Sequence, residues 1–245
     1  MNSTKLTSKS FWDEQYKDIE FKEIPKGDTI RSLIEKYIPI ASKDQNCIEL
    51  GCYPGRYLAI FGSLKYTLNG VDTAEGIDTK LPEWLSKVGY KTSKFVKNDV
   101  FDFKPSVKYD VVCSFGLIEH FKNWKELIKI KADMVKSQGY IIIETPNFRG
   151  FIQRFLHILF DKKNYDIHYI PSMNVDLWKK QLEEEGFTIL YSGYFGNFDF
   201  WADSQKRNIF QRAGISMIRK LLPLLKKLPS NQLYSPYCGL IAKKN

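Results

Sequence analysis

One ten-residue stretch, residues 47–56, constrains the fold of this chain more than any other. It begins with a short apolar run that ends in a carboxylate at Glu49, and a turn marked by Gly51, Pro54 and Gly55 follows. The apolar segment after the turn completes the layout of a strand, a tight turn and a helix. Glycines allow close backbone approach, and a helix N-terminus offers unpaired N–H groups. The stretch predicts either a nucleotide-type binding corner or an ordinary turn.

A second acidic residue favours the binding corner. A strand predicted over residues 66–71 ends in Asp72. Dinucleotide-binding folds place an acidic residue about 20 residues beyond the glycine turn, where it binds the ribose hydroxyls. Because Asp72 lies at that spacing, we expect a ligand that contains a nucleoside.

Short β-rich runs alternate with helical segments in this part of the chain. Strands are predicted at 46–50, 66–71, 94–97, 109–114 and 140–144, and helices at 28–38 and 124–135. This alternation predicts an α/β fold with a mostly parallel sheet and helices on both faces. Ligands of such sheets bind at the carboxyl ends of the strands. Polar and glycine-rich positions predicted at that edge are Glu49, Asp72, Asp99, 114–120 and 145–148.

The alternation of strands and helices is less regular after residue 148. We predict helices at 151–160, 175–185 and 206–228, strands at 187–195 and 237–242, and a polar loop at 161–172 that carries His168. The last helix has apolar residues at three-four spacing, and Pro223 is expected to kink or split it. At the other end of the chain, residues 1–10 are expected to be frayed, and Trp12 and Tyr16 lie on a short aromatic helix.

The positive charge is concentrated at one end of the sequence. The chain carries a net charge of +9, and residues 204–245 contain nine Lys and Arg residues but no Asp or Glu. Such an asymmetry indicates an anionic membrane surface, a nucleic acid or a phosphorylated substrate as a partner, unless it is simply a solvated helix face.

Other classes of protein are disfavoured. No run reaches the roughly 18 to 20 apolar residues that span a bilayer, and no secretory signal is recognised. The four cysteines and three histidines lack the spacings of disulfide frameworks or zinc sites. We therefore expect a reduced, cytoplasmic protein, with peripheral membrane contact as an option, and we predict no metal site.

Taken in order, the motifs resemble those of class I S-adenosylmethionine-dependent methyltransferases. The matching segments are 49–56 (ELGCYPGR), 70–72 (GVD), 98–100 (NDV), 109–121 (YDVVCSFGLIEHF) and 139–147 (GYIIIETPN). The resemblance implies a Rossmann-like seven-stranded sheet with an antiparallel last strand. One position departs from the family pattern, because Tyr53 stands where a glycine is usual, and this puts the loop conformation in doubt.

The resemblance also implies S-adenosylmethionine as cofactor and assigns residues to its parts. The loop from Gly51 to Gly55 would cradle the methionine portion, and Asp72 would hold the ribose. The full set of implied cofactor contacts is Tyr16, Glu49, Gly51, Cys52, Gly55, Asp72, Asp99, Val100, Ser114 and Phe115. Related enzymes close an N-terminal aromatic helix over the cofactor, so residues 1–45 are interpreted as a helical lid.

Catalytic residues are harder to predict from the sequence than cofactor contacts. Methyl transfer to a hydroxyl benefits from a base, and histidine suits that role. His120 directly follows the fourth strand and is the first candidate, although a structural role is an equal alternative; His168 is the second. Acceptor contacts are predicted at Trp12, Glu119, Asn147, Phe148 and Tyr194.

The leading hypothesis is a single methyltransferase domain that methylates a small-molecule oxygen. Its parts are the lid at 1–45, the cofactor-binding core at 46–148, and an acceptor-specificity region at 149–245 with helical insertions and the basic helix. The acceptor would be a sugar, a nucleotide-sugar or a lipid-linked glycan, on a weaker resemblance to methyltransferases of bacterial polysaccharide biosynthesis. The alternatives are an RNA or protein methyltransferase, for which no RNA-binding signature is present, and a non-catalytic scaffold protein.

Overall fold

The computed structural model describes residues 5–202 and 206–245, and it contains a seven-stranded mixed sheet. The strands are β1 (Asn46–Leu50), β2 (Thr67–Asp72), β3 (Thr92–Lys97), β4 (Tyr109–Phe115), β5 (Val135–Pro146), β6 (Phe187–Phe195) and β7 (Tyr237–Lys244). They lie in the order β3-β2-β1-β4-β5-β7-β6, and β7 runs antiparallel to both of its neighbours. The predicted Rossmann-like sheet with an antiparallel last strand is confirmed.

Helices cover both faces of this sheet. They are α1 (Lys9–Gln15), α2 (Thr29–Tyr37), α3 (Leu58–Ser63), α4 (Lys80–Val88), α5 (Trp124–Met134), α6 (Phe151–Phe160), α7 (Lys162–Asp166), α8 (Val175–Glu184) and α9 (Ile209–Leu225). Asp28 is the N-cap of α2, because its carboxylate accepts hydrogen bonds from the N–H groups of Ile30 and Arg31 at 2.8 and 3.0 Å. Such caps stabilise a helix by about 1 kcal/mol.

Two apolar cores form because neighbouring side chains of a strand point to opposite faces. In β4, Val112 packs in the core under α5 and α8, whereas Val111 and Cys113 pack in the core under α2, α3 and α4. The fully buried Trp178 of α8 anchors the first core. Burial of one large apolar side chain contributes roughly 1.5–3 kcal/mol. The helices on both faces are thus held by separate cores.

Two details of the sheet differ from the sequence prediction. β5 begins at Val135, which pairs with Tyr109, and a shift of register then accommodates residues 136–139 before Tyr140 pairs with Val111. Residues 136–139, which precede the strand predicted at 140–144, therefore form an irregularity inside a longer strand. In addition, no helix separates β3 from β4 among the described residues, because a polar turn over 98–108 makes this connection.

The helical predictions after residue 148 also need correction. Residues 161–172 are not an open loop, since they contain α7 and a 3-10 turn at Ile170–Ser172. The basic helix begins at Ile209, after a capping box formed by Asn208 and Gln211, and runs through Pro223 to Leu225. Pro223 has no N–H to donate to the carbonyl four residues earlier, and the helix ends two residues after it.

The N-terminal segment is docked rather than frayed over its described part. Lys5 forms an antiparallel bridge with Phe121, and the N–H of Leu6 donates to the carbonyl of His120 at 2.9 Å. Ser8 then caps α1. Residues 1–4 of the predicted frayed segment lie outside the described residues.

Candidate active site

The glycine loop after β1 lies where the strand order reverses between β1 and β4. Gly51 and Gly55 have φ values of +70° and +86°, which L side chains rarely adopt. A Cβ on Gly51 would also lie 2.7 Å from Leu117 Cδ1, and one on Gly55 would lie 2.2 Å from Leu81 Cδ1. Open α/β sheets bind ligands at this kind of crevice. The loop therefore requires glycine at both positions.

Asp72 connects the end of β2 to this loop. Its Oδ2 accepts the N–H of Tyr53 and its Oδ1 accepts the N–H of Ala74, both at 2.9 Å. Tyr53 is not among the residues with a positive φ, so a side chain there does not disturb the loop. Burial raises the pKa of Asp72 despite these hydrogen bonds. The departure at Tyr53 leaves the loop conformation intact.

Glu49 is a buried carboxylate at the end of β1. Its side chain is 2% exposed, and its Oε2 has no hydrogen-bond partner within residues 5–202 and 206–245. Burial raises the pKa of Glu49 well above its usual range. An unpaired buried carboxylate is costly unless a cationic or hydrogen-bonding group compensates it. Glu49 is therefore suited to a positively charged part of a ligand.

The aromatic residues of the N-terminal segment lie directly over this edge. Tyr16 stacks on Trp12, with ring centroids 5.6 Å apart, and contacts the edge of Tyr53 at 5.3 Å. Trp12 in turn meets the ring of His120 at 5.0 Å. Burial raises the pKa of Tyr16, and the nearby Asp72 raises it further. The segment covers the site, as expected of a lid; its opening stays a prediction.

A histidine pair follows β4 at the same edge. The rings of His120 and His168 have centroids 4.8 Å apart. His120 belongs to a 3-10 turn at Ile118–His120, and Glu119 of that turn is fully buried. The N–H of Tyr169 donates to the Glu119 carbonyl at 2.6 Å, which ties the segment of His168 to this turn. The structure thus brings together both predicted catalytic histidines.

Three more of the predicted cofactor residues, Cys52, Asp99 and Val100, lie around the loop. Cys52 is buried, and a Cβ on Gly70 would lie 2.5 Å from its Sγ. Asp99 forms an ion pair with Lys5 and accepts the N–H of Phe101, beside the buried Val100. The roles of Cys52, Asp99 and Val100 as cofactor contacts stay predictions.

Comparison with known proteins decides the family. The family described as a methyltransferase domain matches residues 23–192, more than half of the chain. The chain belongs to this methyltransferase family. The resemblance to class I S-adenosylmethionine-dependent methyltransferases, and S-adenosylmethionine as the cofactor, are thereby confirmed at the level of family and fold.

Solved structures share the methyltransferase fold at low sequence identity. An S-adenosylmethionine-dependent methyltransferase from Archaeoglobus fulgidus is 22% identical, with a TM-score of 0.56 over 88% of this chain and 93% of that chain. Magnesium protoporphyrin IX methyltransferase from Synechocystis PCC 6803, with bound S-adenosylhomocysteine, is 13% identical, with a TM-score of 0.56 over 96% and 94%.

The name of a third solved structure specifies nitrogen as the acceptor atom. The N-methyltransferase NodS from Bradyrhizobium japonicum WM9, with S-adenosylhomocysteine, is 9% identical, with a TM-score of 0.50 over 82% of this chain and 78% of that chain. No curated protein sequence matches the chain. The comparisons therefore establish the fold but do not identify the acceptor.

The site of this methyltransferase fits its cofactor. S-adenosylmethionine carries an ammonium group, which suits the unpartnered Oε2 of Glu49. Its ribose hydroxyls suit Asp72, whose oxygens each accept one N–H and have lone pairs left. The positive φ values of Gly51 and Gly55 keep side chains away from the loop. These four residues would hold the cofactor.

Two predicted acceptor residues of the methyltransferase are buried in the structure. The Asn147 amide donates to the carbonyls of Gln232 and Ser235 at 2.9 and 3.0 Å, and its Oδ1 accepts the N–H of Gly150. Phe148 is fully buried in the core under α5 and α8. Both side chains are engaged within the fold at this edge, and Phe148 also meets the ring of His168 edge to face at 4.8 Å. Their roles as acceptor contacts stay predictions. Tyr194 is partly exposed on β6, an edge strand of the sheet.

The side chains of Ser114 and Phe115 are also engaged internally. The Ser114 hydroxyl accepts a hydrogen bond from Lys131 at 2.5 Å. Phe115 stacks on Tyr57, with centroids 4.6 Å apart. These two positions of the methyltransferase can line the cofactor through their backbone, whereas their side chains are committed to packing.

Sequence reasoning missed three charged residues near the cofactor edge. Lys131 is fully buried, and burial lowers its pKa to about 7. Glu144 is buried at the end of β5, and burial raises its pKa to about 8, with Arg56 opposing that rise. Arg56 lies over the Tyr57 ring at 4.8 Å. Glu144 follows four apolar or aromatic residues at a strand end, as Glu49 follows its own strand, and this parallel could have identified it.

Proposed function

We propose that this methyltransferase transfers the methyl group of S-adenosylmethionine to a hydroxyl oxygen of a small-molecule acceptor, such as a sugar, a nucleotide-sugar or a lipid-linked glycan. The observation that carries the proposal is the cluster of Glu119, His120 and His168 beside the end of β4. A hydroxyl must lose its proton when it is methylated, and imidazole nitrogens are suited to interact with it.

The histidine tautomers support this role. Nδ1 of His120 lies 3.0 Å from the carbonyl oxygen of Ile167, and Nδ1 of His168 lies 2.6 Å from that of Asn164. A carbonyl oxygen can only accept a hydrogen bond, so each Nδ1 carries the proton. Each Nε2 of the neutral ring then has a free lone pair, which can bind the acceptor hydroxyl.

The other groups of the site position the reactants. When bound, the cofactor supplies a methyl group on a positively charged sulfur. Glu49, Gly51, Gly55 and Asp72 hold it at the strand edge, and Trp12 with Tyr16 covers that edge. Positioning of two reactants can supply most of the acceleration of such a transfer, and the aromatic cover excludes water.

A screen of acceptors tests the choice of oxygen over nitrogen. The protein is incubated with S-adenosylmethionine and panels of hydroxyl and amine acceptors, and products are identified by the added mass of one methyl group. We expect methylated hydroxyl compounds, with the rate reduced at least about 100-fold in His120→Ala. Products found only in the amine panel would overturn the oxygen assignment. A salt-sensitive gel shift with RNA would favour the RNA alternative, and failure to bind S-adenosylmethionine would favour the scaffold.

We also propose that α6 and α9 dock on an anionic membrane surface. Ile215, Ile218 and Leu222 of α9 pack with Leu156 and Phe160 of α6 in a small core. A second apolar stripe at three-four spacing is exposed along α9 and just beyond it, at Phe210, Met217, Leu221, Leu224 and Leu228. α6 likewise exposes Phe151, Phe155, Ile158 and Leu159. Exposed apolar surface of this kind on a monomer usually marks an interaction site.

The charge of the same region favours an anionic lipid surface over other partners. Basic side chains lie beside the exposed apolar stripe of α9, at Arg212, Arg219 and Lys220, and Lys226 and Lys227 follow. Helices with one apolar and one basic surface lie in the membrane interface, and each basic residue near anionic lipid contributes about 1 kcal/mol. None of the helices within residues 5–202 and 206–245 is long and apolar enough to cross a membrane.

Vesicle sedimentation tests the docking proposal. We expect the full chain to sediment with vesicles containing phosphatidylserine at low salt and to release at high salt, and to bind vesicles of phosphatidylcholine alone less. Phe210→Ser should reduce binding at least about fivefold. Ile40→Ser is the matched control, because Ile40 is also an exposed apolar residue, 71% exposed, but lies before β1.

Two outcomes would contradict docking. One is equal binding by the wild-type protein and Phe210→Ser. The other is a stable dimer in solution that Phe210→Ser dissociates, since the stripe would then be an interface between two copies. Neither outcome bears on the methyltransferase assignment.

A further inference from the structure

Three potential metal ligands converge at the end of β4. Glu119, His120 and His168 each offer one ligand atom, and these atoms lie within 4.8 Å of one another. Glu119 and His120 are buried, and His168 is partly buried. Two histidines and one glutamate form a set that binds zinc and other divalent transition metals.

The Glu119 carboxylate lacks a partner that would explain its burial. Neither of its oxygens has a hydrogen-bond partner within the described parts of the chain. The buried Lys131 does not pair with this carboxylate, since its ammonium group donates to Ser114 Oγ and to the Ile142 carbonyl. A buried carboxylate without a partner is costly, and a bound cation would offset that cost.

The histidines have the environment of metal ligands. Metal-binding histidines commonly donate their other N–H to a backbone carbonyl, which fixes the tautomer and the ring orientation. His120 and His168 both make this contact through Nδ1, to Ile167 and Asn164. The Nδ1 atoms donate to these carbonyls, so each neutral ring has its Nε2 lone pair available. A neutral imidazole with a free Nε2 is the form that binds a metal.

The segments that carry the ligands are held together. The 3-10 turn with Glu119 and His120 is bonded to the segment of His168 through the N–H of Tyr169. Leu6 donates to the His120 carbonyl from the other side. Zinc bonds of about 2.0–2.2 Å place tetrahedral ligand atoms about 3.4 Å apart, so a movement of at most about 1.4 Å would bring this set into range.

We propose that Glu119, His120 and His168 bind one divalent transition-metal ion and leave a coordination position for the acceptor hydroxyl. The proposal rests on the hydroxyl methylation proposed above, with the ion between the two Nε2 atoms and the hydroxyl in place of a direct contact. It departs from the sequence prediction of no metal site. The coordinated hydroxyl releases its proton to water, since the ion lowers the pKa of a bound oxygen. The oxygen lone pair then forms the C–O bond while the C–S bond of S-adenosylmethionine breaks and sulfur keeps the electron pair. The products are the methyl ether, S-adenosylhomocysteine and one proton.

Direct metal binding tests this site without relying on activity. The full chain is stripped with a chelator and titrated with Zn²⁺ by calorimetry, and with Co²⁺ by visible absorption. We expect one ion per chain and a rise in Tm on adding Zn²⁺. Glu119→Gln and His168→Ala should each weaken binding at least about tenfold. Metal-free Glu119→Gln should be at least as stable as the metal-free wild type, because it removes a buried charge; a structural role alone would not reverse the effect in this way.

His157→Gln is the matched control. His157 is also a buried histidine whose Nδ1 meets a backbone carbonyl, that of Gln153 at 2.9 Å, but it is not part of the cluster. It should bind Zn²⁺ like the wild type. The site is overturned if the stripped wild type binds no ion at about 100 µM Zn²⁺, or if both cluster variants bind the ion as tightly as the wild type.

Binding measurements on the metal-free wild-type protein distinguish the metal site from the proposed methyl transfer. Binding of S-adenosylmethionine without binding of Zn²⁺ would reject the metal site and retain the proposed function. Binding of Zn²⁺ without S-adenosylmethionine would retain the metal site and reject the proposed function.

Discussion

The two halves of this chain use buried carboxylates in different ways. In the cofactor-binding core, Glu49 and Glu119 are buried with oxygens that have no hydrogen-bond partner in the described residues. In the second half, the buried Asp161 carboxylate pairs with Arg207 at 2.8 Å and accepts the Asn164 amide at 3.0 Å. A buried carboxylate with partners inside the protein stabilises a connection, whereas one without partners is available to a ligand. This difference predicts that substitutions in the first half change the affinity for S-adenosylmethionine. Substitutions in the second half should instead change membrane docking or stability.

The largest effect is expected at Asp72. Asp72→Ala removes the carboxylate that links the glycine loop to β2 and that would bind the ribose. Charge-assisted hydrogen bonds are worth roughly 1.5–3 kcal/mol each, so we expect the affinity for S-adenosylmethionine to fall about 100-fold or more in calorimetry. Asp78→Asn, an exposed change nearby, is the control. Unchanged affinity in Asp72→Ala would remove the ribose assignment.

Glu49→Gln should separate binding from stability. The amide keeps the shape of the side chain but cannot pair with an ammonium group, so the affinity for S-adenosylmethionine should fall about tenfold. Since burial raises the pKa of Glu49, the neutral amide should also make the ligand-free protein more stable in urea denaturation. A loss of both affinity and stability would instead indicate a structural role.

Glu144 predicts a pH dependence of stability. Its pKa rises from 4.5 to about 8 on folding, so the folded state binds more protons between these values. Its contribution to stability is therefore full below pH 4.5 and is lost as the pH rises to about 8, amounting to at most about 3 kcal/mol by pH 7. Urea denaturation between pH 5 and pH 9 should show a flatter profile for Glu144→Gln; parallel profiles would contradict the assignment.

The smallest effect on the cofactor is expected from the second half. Phe210 is 82% exposed on α9, so Phe210→Ser should change the free energy of unfolding by less than about 0.5 kcal/mol. Its affinity for S-adenosylmethionine should stay within about twofold of the wild type in calorimetry. A large loss of affinity would show that α9 communicates with the cofactor edge and would weaken the division between the halves.

The cofactor-binding core could be predicted from the sequence because its residues are constrained by near neighbours in the chain. Gly51 and Gly55 are required by backbone conformation, and Asp72 lies at a fixed spacing from them along a βα unit. The short central strands are buried almost throughout, and such apolar runs between helical segments made the sheet predictable for the same reason. These features depend on neighbours within one strand, turn and helix.

The rest depended on contacts between distant segments. His120 and His168 meet only because α6 and α7 return the chain to β4, and no spacing encodes that return. Asn147 was predicted as an acceptor contact because it lies at a strand end, yet its amide partners are backbone groups at 232 and 235. The apolar stripe of α9 was visible as a helical period, but the sequence could not show which of its two stripes faces solvent.

The bridge between Lys5 and Phe121 also has a consequence for the order of events during synthesis. Residues 5–16 leave the ribosome long before Phe121 and the His120 carbonyl, their docking partners, have been made. Contacts between segments so far apart form only after the intervening strands have assembled. The aromatic cover is therefore completed late, and a nascent chain that stops before β4 leaves Trp12 without the His120 ring against which it packs.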